Sequence, residues 1–237
     1  MLAVFVNMGT VLAGSLIGIL FRSRLQEKFQ SAMMTALALC TVVIGVSSAI
    51  ATKDILCVII SMALGTALGE LIRIDDDIEH AGDFIKLRVL RGRAGESRFT
   101  EGFVSACILF CVGSMTIMGS LEAGINHDYS IIYAKSALDF VSSMAFGAAM
   151  GIGVTFSIFF ILAFQGGLTL LAGLIGPALS SAVVTEMSAV GGTILIGMAV
   201  NMLGLGRERI KVANMLPAIF LPLLYFPISQ WLGGMLS

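Results

Sequence analysis

Lys135 and Asp139 stand four residues apart inside a long apolar stretch, so on a helix they share one face. At 1.5 Å per residue, Asp139 lies about 12 Å along that helix, near mid-depth if the stretch spans a membrane. Ionisable groups there are costly and by default mark function. The pair can neutralise itself, which leaves two chemistries open: a structural ion pair between helices, or a relay for a proton or ion. Glu186 sits one turn into another apolar run, after Ser180-Ser181, where the helix dipole favours a carboxylate as an interfacial cap. The small, polar run that follows (Ser188, Ala189, Val190, Gly191, Gly192) equally suits an unwound segment offering backbone groups to a substrate or ion. Gln165-Gly166-Gly167 interrupts a third run at mid-span, the signature of a break or a close crossing. Asn7, Asn201 and Asn214 add amides on the first, seventh and eighth apolar segments, each suited to interhelical hydrogen bonding. These nine residues form the candidate substrate or ion pathway.

Catalytic and metal chemistry are not expected, and neither is a cofactor. His80 and His127 fall in loops on opposite sides, and no H-E-x-x-H, G-x-S-x-G or phosphate-binding G-x-x-x-x-G-K-[ST] occurs. Cys107 and Cys111 share a helix face without further ligands, and free cysteines of this kind pack as small hydrophobes. The chain is therefore read as no enzyme, and without a basic face for nucleic acid.

The elements that must hold these residues follow from composition. Of 237 residues, 57% are apolar and 12% charged, with a mean hydropathy of +0.99; soluble domains carry about 25% charged residues. A span needs about 20 apolar residues, and such stretches occur at 2–21, 31–50, 55–72, 102–121, 130–150, 154–176, 182–203 and 212–234. The fold expected is all-α: a polytopic membrane protein of about eight helices in a single membrane domain over 1–237. Helices 1–3 occupy 2–72, a cytoplasmic loop 73–100, helices 4–5 101–150 and helices 6–8 154–234. Gly151-Ile152-Gly153 reads as the tight turn between the fifth and sixth; if it were a kink, the count would be seven.

Lys and Arg cluster in alternate loops: Arg22, Arg24 and Lys28; Arg73, Lys86, Arg88, Arg91, Arg93 and Arg98; Arg207, Arg209 and Lys211. With eight spans all three loops face the cytoplasm and both termini lie outside, whereas seven would break the parity. The residues Ile74, Ile78, Ala81, Ile85 and Val89 recur at helical spacing, with Asp75–Asp77 at the start and Lys86, Arg88 and Arg91 later. They describe a short amphipathic helix on the cytoplasmic interface.

Weak echoes run through the spans. Val112–Gly119 matches Val190–Gly197, Thr41–Gly45 matches Thr193–Gly197, and Thr10–Gly14 matches Thr169–Gly173. Helices 1–3 thus resemble helices 6–8, and five crossings between the copies would make the repeat inverted, an architecture of secondary transporters. Gly113, Gly119, Gly191, Gly192 and Gly197 also suit close helix crossings. Pro217, with Pro222 and Pro227, kinks or breaks the eighth helix.

Several motifs occur in order: Glu101-Gly102-Phe103, Lys135-Ser136-Ala137-Leu138-Asp139, Gln165 to Gly173, Glu186 to Gly192, and Val212 to Ala218. Together they resemble a bacterial inner-membrane family, domain of unknown function 554, of the YqgA/YdfK type. The resemblance covers essentially the whole chain and places Lys135, Asp139, Gln165, Glu186 and Asn214 in the family's characteristic motifs. It implies a transport protein of the cell inner membrane. The expected function is secondary transport of a small solute or ion, with the lipid bilayer as surroundings and a homo-oligomer compatible with it. A scaffold or subunit of a larger complex is the alternative, and an intramembrane enzyme ranks below both.

Overall fold

Apolar helices gain little from hydrophobic burial against one another in lipid, so they associate where small residues let backbones meet. In the computed structural model, which describes residues 1–22, 27–78, 80, 99–111 and 113–236, glycines set the pairings accordingly. Helix α1 (Leu2–Arg22) lies along α6 (Ser130–Met150). A methyl group added at Gly14 would run into Phe140 O and Ser143 Oγ, one at Gly18 into Met144 O, and one at Gly147 would reach Ser15 O at 2.5 Å. The sequence numbers rise together along this seam, so the two helices are parallel.

Helix α2 (Glu27–Ala49) packs against α9 (Ser181–Leu203). The backbone of Gly45 and Ala49 meets Gly192, where an added carbon would sit 2.5 Å from Gly45 O and 2.7 Å from Ala49 N. Helix α3 (Ile55–Ile72) packs against a 3₁₀ segment, Val212–Phe220, with Gly65 against Ala218 and Gly69 against Asn214. Both of these pairs are antiparallel. The fourth pairing sets α4 (Phe99–Cys111) and α5 (Ser114–Ile125) beside α7 (Gly153–Ile161), the π-helical segment Leu162–Gly166 and α8 (Gly167–Ile175). Gly153 abuts Phe99 at one end of this pair and Gly124 abuts Thr169 at the other, so these two run parallel.

Six segments of the described chain are long and apolar enough to cross a membrane, and the bent pair α4–α5 makes a seventh. Helix α6 is of similar length, 21 residues, carries Lys135 and Asp139, and lies parallel to α1. The ends carrying Arg22, Arg73 and Arg207–Lys211 consequently gather on one side. Lys211 Nζ donates to Asp76 Oδ1 at 3.0 Å there, joining the third and seventh interhelical loops. Leu2 and helix α10 (Pro222–Leu236) point to the other side, where Tyr225 donates to Asp54. Helix α9 is the centre of the bundle, with Val190, Ile194, Leu195 and Met198 in the largest buried cluster. No strand occurs among the described residues.

The stretch 102–121 is not one straight helix: the axis turns by 59° between α4 and α5. Gly113 there has φ 143°, a conformation open to glycine and strained for other residues, and Thr116 Oγ1 donates to the freed carbonyl of Phe110 at 3.0 Å. The eighth stretch is a 3₁₀ segment containing Pro217, followed by an α-helix that begins at Pro222. Proline removes a backbone donor, and its fixed φ suits a helix start. The amphipathic segment is helical over 74–78; its remainder, with Ala81, Ile85, Val89 and the basic residues of 81–98, lies outside the described residues, as does Arg24.

Candidate functional site

Four of the nine pathway residues meet. Lys135 and Asp139, one turn apart on α6, form the expected ion pair, with both side chains under a tenth exposed. Asn7 of α1 reaches across the parallel seam, its Nδ2 donating to Asp139 Oδ2 at 3.1 Å and to Gln165 Oε1 at 3.0 Å. The Lys135 ammonium also stands 5.9 Å from the ring centre of Phe110, the last turn of α4 before the bend. Asn7 and Gln165 are sealed, at 0% and 1% exposed. The glycine stripe explains the reach: with no side chains at Gly14 and Gly18, α1 approaches α6 closely enough for one asparagine to bridge three elements.

Gln165 owes its position to a local irregularity. The expected break at Gln165-Gly166-Gly167 is a π-helical turn instead, in which one extra residue is accommodated and the backbone stays hydrogen-bonded. Such turns satisfy the backbone in lipid where a true break would not. A close crossing is absent too. A carbon added at Gly166 would meet only side-chain atoms, at 3.5 Å and beyond, and one at Gly167 nothing within 4 Å. Thr169 Oγ1 closes on Gln165 O at 2.8 Å, and Thr10 Oγ1 on Asn7 O at 2.8 Å. Two polar atoms of the network, Asn7 Oδ1 and Gln165 Nε2, are buried without a hydrogen-bond partner. Flipping either amide would only set like against like at the contacts already made.

Glu186 does something different. It is buried at 1% exposed and accepts from Thr52 Oγ1 at 2.5 Å, Lys53 N at 2.7 Å and Asp54 N at 3.2 Å. It thereby clasps the loop between α2 and α3 onto α9. Asp54 in turn caps α3 through Leu56 N and Cys57 N and receives the hydroxyl of Tyr225 at 2.9 Å. The run Ser188 to Gly192 is regular helix rather than unwound, because Gly192 is needed for the crossing with Gly45.

The two remaining amides fasten the basic end. Asn214 Nδ2 donates to Glu70 Oε2 at 2.5 Å, and its Oδ1 accepts from Asp75 N at 2.7 Å. Asn201 pairs twice with the backbone of Ile210, at 2.8 and 2.9 Å. On the surface nearby, the hydrogen bond from Lys211 holds the Asp76 carboxyl below its usual range, and Asp76 raises Lys211. A cavity of about 540 Å³ opens at this end between Glu101, Ser105, Asn201, Arg207 and Glu208, and none of the four network residues lines it.

Of the packing glycines, Gly113 sits at the bend, and a carbon added at Gly119 would stand 3.0–3.1 Å from Ile131 and Ile132. Gly192 marks a backbone crossing, a carbon added at Gly197 would make ordinary contact with Val212 at 3.4 Å, and Gly191 is simply buried. Sequence reasoning missed Gly14, Gly18, Gly65 and Gly69, although each pair has the G-x-x-x-G spacing that signals a close crossing. It also missed Glu70 and Asp54, carboxylates at the ends of the third stretch. No group of three or more metal-ligating side chains occurs among the described residues.

Buried polar groups joined across apolar helices that cross repeatedly define a polytopic α-helical membrane protein. The chain belongs to the family described as Protein of unknown function (DUF554), whose model matches residues 2–226. It is 26% identical over 220 residues to the uncharacterized membrane protein YdfK of Bacillus subtilis, with 91% of each chain covered. It is 30% identical over 227 residues to the uncharacterized protein YqgA of Escherichia coli, covering 95% of this chain and 94% of that one. No solved structure matches.

Proposed function

We propose that this chain is a secondary transporter of a small solute or ion in the bacterial cytoplasmic membrane, with the basic loops in the cytoplasm and both termini outside. The observation that carries the reading is the network of Asn7, Lys135, Asp139 and Gln165. It is an ion pair held between three spans beside a π-helical turn, with a donor and an acceptor left over. Intramembrane charges of this kind mark ion and substrate routes, and π-turns recur at functional sites.

The helix pairings lend support. Exchanging the first span with the sixth, the second with the seventh, the third with the eighth and the fourth with the fifth leaves the four pairings unchanged. Those exchanges all join oppositely directed spans, as an inverted repeat would. In this reading the chain is no enzyme: Lys135 and Asp139 bond to each other, and Asp139 accepts further only from the Asn7 amide among the described residues.

The test is pH-dependent flux. Purified protein in liposomes with an entrapped pH dye is exposed to a panel of organic acids, amino acids, sugars, Na⁺ and K⁺. At least one solute should change the internal pH over protein-free liposomes, and Asp139→Asn should abolish that change per folded molecule. Silence across the panel, or an unaltered response in the variant, defeats the reading and favours a scaffold.

A further inference from the structure

Resting on the transport reading, we infer that the substrate is a small carboxylate, best one with a neighbouring hydroxyl, bound at Lys135 and the two amides and carried together with one proton taken by Asp139. The first argument is charge. Among the described residues facing the pair, α1 brings Asn7 and no charge before Arg22, and the α7–π–α8 segment brings Gln165 and no charge at all. Helix α2 carries its charges, Glu27 and Lys28, in its first turn, α4 carries Glu101 in its first turn and brings the Cys111 thiol and the Phe110 ring, and α5 carries its one charge, Glu122, in its last turn. Asp139 is thus the sole counter-charge of a nearly sealed ammonium. When Asp139 takes up a proton, Lys135 is left as an uncompensated buried cation, a strongly unfavourable state. An anion entering with the proton restores neutrality: one positive and one negative charge arrive together, and both leave together.

The second argument is hydrogen-bond chemistry. The free Gln165 Nε2 is a donor on a side chain bonded into the same network as Lys135, so a carboxylate has two separate donors for its two oxygens. The free Asn7 Oδ1 is an acceptor, and a hydroxyl beside the carboxylate supplies the matching donor. Asn7 Nδ2 contacts both Asp139 and Gln165 within 3.1 Å, so the donor and the acceptor left over belong to side chains that already touch one another. A metal cation fits poorly, because the Lys135 ammonium occupies the Asp139 carboxylate and repels it.

The experiment uses counterflow. Proteoliposomes loaded with unlabelled L-lactate at pH 7, without a pH gradient, receive radiolabelled L-lactate outside, and protein-free liposomes are subtracted. Saturable accumulation is expected. Lys135→Met should abolish it, and Gln165→Leu should raise the half-saturating concentration about tenfold. Asp139→Asn, whose side chain is neutral like the protonated acid, should keep counterflow yet lose uptake driven by an acidic exterior. The double variant Lys135→Met/Asp139→Asn removes both charges, protects folding and should exchange nothing. If lactate, glycolate and acetate all fail to exchange while another solute drives Asp139-dependent proton flux, the carboxylate assignment falls and the transport reading stands. If no solute moves protons either, both fall and the network is structural. Equal acid-driven uptake in Asp139→Asn and the parent would overturn the proton's place.

Discussion

Asp139 and Glu186 are both buried carboxylates on helices that cross the bundle, and they are treated in opposite ways. Glu186 is met by three donors from one loop and leaves no unpartnered polar atom beside it. Asp139 is met by a lysine and a shared amide, and its network retains an unpartnered donor and acceptor. A carboxylate whose neighbours are used up is a fastening; one whose neighbours have capacity to spare is available for a partner that comes and goes. Burial alone does not separate the two, since Glu186 is the more deeply buried.

The largest effect expected from breaking this contrast is at Asp139. Asp139→Asn strands the Lys135 ammonium and should lower stability by about 3–5 kcal/mol, whereas Lys135→Met/Asp139→Asn should regain most of that loss. A double-mutant cycle from denaturant or thermal unfolding in one detergent measures the coupling. A coupling near zero would mean the pair is held apart by water, and the contrast with Glu186 would collapse. Next comes Glu186→Ala, which leaves the Thr52–Asp54 donors unmet and should cost about 2–3 kcal/mol. Solute flux per folded molecule should stay as in the parent. Lost flux in a fully folded Glu186→Ala protein would place Glu186 on the pathway after all.

The smallest effect concerns the exposed Lys211–Asp76 contact. Asp76 has a lowered folded value, so its contribution is present above the unfolded carboxyl value near 3.9 and fades as pH falls through the lower folded value. Lys211 has a raised value, so its share is present below about pH 10.4 and fades as pH climbs through the higher folded value. A small stability difference between the parent and Asp76→Asn should therefore appear between roughly pH 4 and 10 and shrink in high salt. A difference that persists at pH 2 would assign it to packing instead.

Much of the site was legible in local spacing. Lys135 and Asp139 pair because residues four apart share a helix face, a relation that needs no knowledge of neighbours. Their four-way meeting with Asn7 and Gln165 was not legible, since Asn7 stands 132 residues before Asp139 and 158 before Gln165. The π-turn was equally hidden: Gln165-Gly166-Gly167 spells weakness in a helix, and only packing against α1 decides that an inserted residue relieves it. Glu186 was read at the right depth, near the start of its helix, but its partners come from a loop over 130 residues earlier.

The sequence by itself determined the membrane class, the positions of the apolar stretches, the alternation of basic loops and the local ion pair. These depend on transfer free energies, on loop charge and on helical periodicity, all properties of contiguous residues. Tertiary structure alone decided which spans pair, where the fourth bends and which polar groups meet. Lipid is as apolar as leucine, so an apolar helix surface does not announce its neighbour; steric fit at a few glycines and hydrogen bonds across the bundle do.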